Sequence, residues 1–205
     1  PVEPARFVID TPDKENAMLF ARVDLPANLS DADMPALITA DWIIGGSDGL
    51  SNRIVNRLRQ KEGLSYGSGS NITLPSFGNR AKWSVGAIVA PQNLAQAEKS
   101  LKDELARAYR DGITEAELAE AKRGIIGSRA VNRAQDGMVA SNWVNNLETG
   151  RTWQFSKETE AAIEALTVED VNKALRRFCD VSKLTFALAG DLAKAKAAGK
   201  DFTQP

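Results

Sequence analysis

Residues 51–90 read SNRIVNRLRQKEGLSYGSGSNITLPSFGNRAKWSVGAIVA, and this stretch decides the fold. Residues 51–62 carry apolar side chains at helical spacing, and Gly63 ends the predicted helix. Two runs with strand character follow, residues 65–74 and 81–90, joined by a Pro-Ser-Phe-Gly-Asn turn. Apolar and polar side chains alternate along the second run. Two strands in succession, with no helix between them, predict an antiparallel hairpin.

Working outward, strand and helix patterns follow one another irregularly. They predict a strand over residues 17–25, helices over 34–44, from Pro91 to Gly112, from Thr114 to about 147, over 157–166 and after Thr167, and a last strand over 184–188. Because strands do not alternate strictly with helices, the order argues against a doubly wound parallel sheet. It predicts an α+β fold in which helices pack on one face of a mostly antiparallel sheet.

No linker-like segment and no repeat of fixed period interrupts this order. We therefore expect residues 1–205 to form a single domain. Residues 1–16 are polar and proline-rich, which predicts an arm leading into the domain. Residues 194–205 form an Ala/Lys-rich tail. Because the chain starts at Pro1 without an initiator Met, we expect it to be a piece of a longer protein.

The charge balance limits the partners. Lys plus Arg number 26 and Asp plus Glu number 27, giving a formal net charge of −1. A nucleic-acid or anionic-membrane surface needs a basic excess, so we expect neither partner. No apolar stretch of about 18 residues is present to span a membrane. We expect a soluble protein, and the residues do not choose between the bacterial periplasm and the cytoplasm.

Histidine and cysteine counts exclude several kinds of catalytic site. The chain has no His and a single Cys, Cys179. A disulfide within the chain is therefore excluded, and so is a zinc site built from imidazole or thiolate ligands. Ser-His-Asp and Cys-His nucleophile systems are excluded because each needs an imidazole base. Cys179 follows the apolar face of a predicted helix, which indicates a buried structural thiol.

Three further patterns have a structural interpretation that is favoured over a functional one. Glycine-rich residues 45–49 resemble a phosphate loop, but a helix precedes them and no Lys follows, which favours a turn between helices. A basic cluster fits a solvated helix face better than a nucleic-acid site. It comprises Arg53, Arg57, Arg59 and Lys61. Acidic pairs near residues 115–120 and 169–170 fit helix N-termini better than glycosidase carboxylates.

Arg59 and Tyr66 are the two residues that we single out. Arg59 lies off the apolar stripe of its helix, where a surface ion pair with Glu62 would explain it. Tyr66 lies where the helix turns into a strand, and a half-buried strand aromatic would explain it. From the residues alone, these structural interpretations are favoured for both.

A resemblance to a known family changes that balance. Residues 51–66 resemble the signature of the non-zinc half of pitrilysin/insulinase-type zinc metallopeptidases, which reads Arg-hydrophobic, a short gap, Leu-Arg, three residues and Gly-Leu-x-Tyr. Supporting segments occur in the same order along the chain. They are the helix ending in Gly-Gly at 37–46, the Thr-x-x-Glu-Leu…Ala-Lys start at 113–122, and the closing segments at 166–171 and 184–191.

The resemblance implies one half of a clamshell. In this family a sister domain or subunit carries the inverted zinc motif His-x-x-Glu-His, and the non-zinc half lends an Arg and a Tyr spaced seven residues apart. That pair maps onto Arg59 and Tyr66, as auxiliary residues for substrate binding and transition-state stabilisation. Gln60 and Gly67 depart from the family pattern, which leaves fine specificity open.

The implied function is the substrate-binding half of a zinc-dependent endopeptidase with a peptide substrate. No metal or other cofactor is expected in this chain, zinc is expected in the partner domain, and the chain is not expected to be active alone. The alternative is a non-catalytic structural or scaffolding relative of the same fold, as in the core subunits of respiratory complexes that resemble this family.

Overall fold

The computed structural model describes residues 3–46 and 51–199. Residues 47–50, which include part of the glycine-rich run, and tail residues 200–205 lie outside the described residues, as do residues 1–2. Within the described part, five strands form one sheet. They are β1 (Arg6–Asp10), β2 (Ala17–Leu25), β3 (Ser65–Thr73), β4 (Ala81–Val89) and β5 (Thr185–Gly190).

Eight α-helices are found in the same residues. They are α1 (Met34–Asp41), α2 (Arg53–Val55), α3 (Leu94–Asp111), α4 (Glu115–Arg133), α5 (Asp136–Thr149), α6 (Trp153–Ala165), α7 (Val168–Leu175) and α8 (Leu192–Ala197). Two of them continue as π-helical turns, α1 into Trp42–Gly46 and α2 into Asn56–Lys61. Helices α4 and α7 begin directly after Thr114 and Thr167, as the sequence predicts, and each of these residues forms a capping box.

The strand order is β1-β5-β2-β4-β3. Strand β1 pairs with β5 in parallel, and every other neighbouring pair is antiparallel. This arrangement confirms the predicted α+β fold with a mostly antiparallel sheet. The predicted hairpin is also present, because β3 and β4 are adjacent antiparallel neighbours. Strand β3 lies at one edge of the sheet.

The two faces of the sheet differ in burial. In β2 the odd positions from Ala17 to Ala21 are buried, whereas Met18 and Phe20 remain 50% and 41% exposed. The buried face packs against the helices and contributes to the hydrophobic core, which includes Trp83 and Phe178 with ring centroids 4.8 Å apart. We call the opposite side the open sheet face. Its exposed or half-buried apolar side chains are Phe7, Ile9, Met18, Phe20 and Ile88.

The interpretation of residues 1–16 as a polar arm missed a strand. Arg6–Asp10 forms β1, whose register places Phe7 opposite Ala187 and Ile9 opposite Ala189. The local signal for this strand is only Phe7-Val8-Ile9, residues of high β-propensity in a short run between polar and proline-rich stretches. The hydrogen-bonding partner that stabilises it lies about 180 residues away in the chain. The first part of the predicted tail is likewise helical, in α8. The prediction of a single domain stays a prediction.

A buried carboxylate connects α1 to the hairpin. Asp41 accepts hydrogen bonds from Ser70 Oγ at 2.6 Å, from Trp83 Nε1 at 2.7 Å and from the Ile72 amide at 3.1 Å. Burial raises the pKa of Asp41, although these three donors oppose the shift. A Cβ on Gly46 would lie 2.3 Å from Asp41 Oδ2, so close approach accounts for that glycine without a phosphate ligand.

Replacing Asp41 with Ala should destabilise the fold by about 3 kcal/mol or more. The substitution removes the acceptor from three donors in the interior, and each buried unsatisfied donor costs about 1–3 kcal/mol. Urea unfolding measures the effect. Asp103→Ala is the control, because it removes only an exposed pair with Lys99 and should cost less than about 0.5 kcal/mol. Equal losses in the two variants would contradict the role given to Asp41.

Candidate functional site

The helix that carries Arg59 is fixed at its start and along its inner side. Asn52 caps it by accepting a hydrogen bond from the Val55 amide at 2.9 Å. Ile54 and Leu58 are fully buried in the core. Arg59 follows in the π-helical turn and is exposed. The turn therefore presents the guanidinium outward from a backbone that the core holds in place.

A glycine cap turns the chain from this helix into β3. Gly63 has φ of +62°, a left-handed conformation that favours glycine. Its amide donates to the Arg59 carbonyl at 3.2 Å, and the Leu64 amide donates to the Leu58 carbonyl at 2.8 Å. These bonds satisfy the Leu58 and Arg59 carbonyls in the last turn of the helix. As a result, Arg59 and the start of β3 are joined by a short, hydrogen-bonded connection.

Tyr66 lies in a β-bulge. Ser65 pairs with Val89 and Gly67 pairs with Ile88, so Tyr66 is an extra residue in the β3 strand. The Ser65 hydroxyl is 2.8 Å from the carbonyl oxygens of both Gly67 and Ile88, and it accepts from the Gly67 amide at 3.2 Å. Bulges re-aim a side chain and are frequent beside active sites. Here the bulge leaves Tyr66 65% exposed.

Neither structural interpretation of Arg59 and Tyr66 fits the structure. Glu62 forms its ion pair with Arg57 and accepts a hydrogen bond from Ser100 Oγ at 2.5 Å. It is therefore not the partner of Arg59. Tyr66 is exposed instead of half-buried. Among the described residues, the Arg59 guanidinium and the Tyr66 hydroxyl form no hydrogen bond or ion pair. Their donors are available to a ligand.

Arg53, the first residue of the basic cluster, is not on a solvated face. Its side chain is only 8% exposed and forms a fork with Glu117, with Nε to Oε1 at 2.7 Å and Nη2 to Oε2 at 2.8 Å. Nη2 also donates to the Gly112 carbonyl at 2.8 Å. Arg53 therefore joins the helix of Arg59 to the start of α4. The sequence correctly places Glu117 at a helix N-terminus but gives no sign of this long-range partner.

The described residues offer no metal site. Among residues 3–46 and 51–199, no group of three or more His, Cys, Asp and Glu side chains could hold a metal ion. Cys179 is completely buried. Burial, followed by the nearby Asp41 carboxylate, raises the pKa of its thiol. Within that same part of the chain, no helix is long and apolar enough to cross a membrane.

Comparison with known proteins identifies the family. The family model described as the peptidase M16 inactive domain matches residues 1–125, which include both Arg59 and Tyr66. The chain belongs to the peptidase M16 inactive-domain family. This result confirms the resemblance to the non-zinc domain of the zinc metallopeptidases. None of the curated proteins compared with the chain matches it.

Solved structures share the fold of this M16 inactive domain. An M16 inactive domain from Pseudomonas fluorescens superimposes with a TM-score of 0.81 at 23% identity, and a protease from Helicobacter pylori with 0.79 at 18%. Each match covers 92% of this chain and 44% of the other, so the chain spans less than half the length of these relatives. A chain of Complex III2 from Candida albicans gives 0.75 at 17% identity, covering 95% of this chain and 48% of the other.

The Arg53–Glu117 pair should make the stability of the M16 inactive domain depend on pH in the acid range. Burial disfavours ionised Glu117, but hydrogen bonds from Arg53 and the Thr114 amide outweigh it and lower the pKa of this carboxyl from 4.5 to about 2. A carboxyl whose pKa is depressed by folding stabilises the fold above its unfolded pKa. That contribution is lost as the pH falls from about 4.5 to about 2.

We therefore expect the difference in unfolding free energy between the unaltered chain and Glu117→Gln to shrink as the pH falls from 5 to 2. The change should be on the order of 2 kcal/mol, after allowance for partial exposure. Urea unfolding at successive pH values measures it. Glu115→Gln, in the same helical turn but exposed, is the control and should show little pH dependence. A pH-independent difference for Glu117→Gln would contradict the prediction.

Proposed function

We propose that this chain is the substrate-binding half of a zinc-dependent endopeptidase. In this proposal Arg59 and Tyr66 bind the peptide and stabilise the transition state of its hydrolysis. A sister domain or subunit that bears His-x-x-Glu-His supplies the zinc and the general base. The chain alone does not cleave peptides.

The observation that carries the proposal is the pair of donors, at the junction of the helix and β3, that have no partner among the described residues. The phenol O–H of Tyr66 and the guanidinium of Arg59 can both donate hydrogen bonds. Negative charge builds on the carbonyl oxygen of a peptide bond when it is attacked. Donors held on a rigid backbone stabilise that charge without reorganising. The glycine cap and the Ser65-supported bulge provide this rigidity for the two side chains.

The residues of this chain do not fit zinc. There is no His in the sequence, and the single thiol is buried with a raised pKa. Asp41, one of several buried carboxylates, is already shared by three donors. No group of three or more possible ligands is found among the described residues. The metal is therefore assigned to the sister half, and the role given to this chain is confined to binding and to hydrogen-bond donation.

The open sheet face is the surface that we assign to the sister half. Phe7 and Ile9 on β1 are 54% and 51% exposed, and the exposed Met18 and Phe20 of β2 lie across β5 from them. A contiguous exposed apolar patch of this kind marks an interaction site. The register runs from Ile9 through Ala189, Met18 and Ile88 to Gly67, directly after Tyr66. A partner seated on this face would thus meet the edge that carries Tyr66.

Tyr66→Phe and Arg59→Ala should each lower turnover of the assembled enzyme by roughly 100- to 1,000-fold, which is typical for loss of one donor to a developing oxyanion. Arg59→Lys should also be damaging, because a point charge does not reproduce a planar fork of donors. Stability should change by less than about 0.5 kcal/mol, since both side chains are exposed. Kinetic constants and melting temperatures of each variant measure the two effects.

Two matched variants serve as controls in these measurements. Tyr109→Phe alters the other tyrosine of the chain, on α3, and Lys61→Ala removes an exposed cation near Arg59. Both should retain turnover. The chain without its sister half should hold no zinc and cleave no peptide. Unchanged turnover in Tyr66→Phe and Arg59→Ala, or a loss that only follows unfolding, would show that the two residues are structural.

Phe20→Asp should weaken association with the sister half by at least about tenfold, because it places a charge in the centre of the open sheet face. Phe77→Asp is the matched control. Phe77 is 67% exposed but lies in the turn of the β3–β4 hairpin. Affinity between separately purified halves, measured by titration calorimetry, tests the difference. If both variants bind equally well, the sister half uses another surface.

A second candidate function is a scaffolding subunit without peptidase activity. The match to a chain of Complex III2 over 95% of this chain favours it, although that likeness shows the fold alone. The two candidates differ in the partner that they require. A partner with His-x-x-Glu-His, together with turnover that depends on Tyr66, supports the peptidase; a partner without the motif supports the scaffold.

A further inference from the structure

A cavity lies far from Arg59 and Tyr66. It has a volume of about 440 Å³ and lies among α4, α5 and α6, reaching Leu29 and the turn of the hairpin at Ser76. Strand β3 has nine residues and so is about 30 Å long, with Tyr66 near one end and Ser76 beyond the other. The cavity is therefore separate from the proposed site at Arg59 and Tyr66. Its volume is that of a small-ligand site.

The walls of this cavity carry an excess of positive charge. Arg129, Arg133 and Arg151 line it, and no acidic side chain is among the described residues that do so. Glu160, behind the wall, forms ion pairs with both Arg129 and Arg133. Burial opposes the shift, but these two arginines hold the pKa of Glu160 below its usual value. Two of the three guanidinium groups thus share one carboxylate, and Arg151 forms no ion pair with the described residues, so positive charge exceeds negative charge around the cavity.

The arginines are held in position by their surroundings. Arg129 donates to Ser156 Oγ at 2.7 Å. Arg151 lies 4.4 Å from the centre of the Phe155 ring and donates to Ser30 Oγ at 3.0 Å. These contacts leave other N–H groups of Arg133 and Arg151 without a partner among the described residues. A site whose charged groups are already ordered loses less entropy when it binds a ligand.

The rest of the wall indicates which kind of anion would fit. Asn142, Asn145 and Asn146 line the cavity from α5, and their side chains form no hydrogen bond with other described residues. A carboxamide both donates and accepts, so it complements a peptide group, whereas an inorganic anion uses donors only. Trp153 and Phe155 add an apolar wall. Carboxylates match the planar fork of Arg.

We propose that this cavity binds an acidic peptide segment. The guanidinium groups of Arg133 and Arg151 pair with its carboxylates, the asparagine amides pair with its backbone, and the aromatic wall covers an apolar side chain. The proposal goes beyond the role of Arg59 and Tyr66 and does not depend on it. It adds a second binding site on the helical side of the domain.

Calorimetric titration of the 205-residue chain with acetyl-Phe-Glu-Glu, bearing a free C-terminal carboxylate, tests the proposal. The neutral analogue acetyl-Phe-Gln-Gln-amide should bind at least about tenfold more weakly, because it lacks the charge-assisted hydrogen bonds. Raising the salt concentration should weaken binding of the acidic peptide more than binding of the neutral analogue. Absence of binding at millimolar peptide, or equal binding of the two peptides, would overturn the proposal.

Arg133→Gln should weaken binding of the acidic peptide by about tenfold or more, since it removes one of the three guanidinium groups that line the cavity. Arg123→Gln is the matched control, because Arg123 is exposed on the same helix but does not line the cavity. Asn142→Asp adds a negative charge with almost no change in shape and should also weaken binding. Melting temperatures verify that each variant is folded. Equal affinities in Arg133→Gln and Arg123→Gln would rule out this cavity.

Two further experiments locate the bound peptide and define the chemistry that the cavity selects. In NMR titrations the indole N–H signal of Trp153 should shift with added peptide, while that of Trp83, buried in the core, should not. Inorganic phosphate should bind more weakly than the acidic peptide, because it offers no peptide groups or apolar side chain. Phosphate binding as tight as the peptide would reduce the cavity to a simple anion site and overturn the peptide assignment.

Discussion

The Asp41 carboxylate is the interaction on which the arrangement of the domain depends. It accepts hydrogen bonds from the Ser70 hydroxyl and the Ile72 amide on β3 and from the Trp83 indole on β4. These bonds join α1 to the β3–β4 hairpin. A buried acceptor with three donors has few alternative arrangements, because any slip leaves polar groups unpaired. The same requirement explains why the chain after Asp41 contains Gly46, whose lack of a Cβ makes room for the carboxylate.

The candidate site uses this fixed framework in a particular way. Around Arg59 and Tyr66, the backbone is hydrogen-bonded by the Asn52 cap, the Gly63 turn and the Ser65 hydroxyl. The two side chains themselves are left without partners among the described residues. Rigid backbone with unpaired donors is the arrangement expected where a ligand completes the hydrogen bonding. Arg53 contributes indirectly, since its fork to Glu117 fixes the helix on which Arg59 is carried.

The two proposed binding regions occupy opposite ends of the hairpin and different layers of the fold. The open sheet face is apolar around Met18 and Phe20 and carries Arg22, Asp24 and Lys82 farther along β2 and β4, whereas the cavity is cationic and rich in amides. Surfaces that differ this much in chemistry favour different ligands. The helical layer, which covers the core on one side, is therefore available for a binding role of its own.

The sequence by itself determined the features that depend on neighbours in the chain. The caps at Thr114 and Thr167 and the glycine turn at Gly63 follow from residues within one or two helical turns, and the hairpin follows from its alternation and its turn. The resemblance to the metallopeptidases singled out Arg59 and Tyr66. Only the tertiary structure decided β1, the burial of Arg53 against Glu117, the bulge at Tyr66 and the cationic cavity. Each of these depends on a partner far away in the chain, and local periodicity contains no information about which distant segment will pack against a residue.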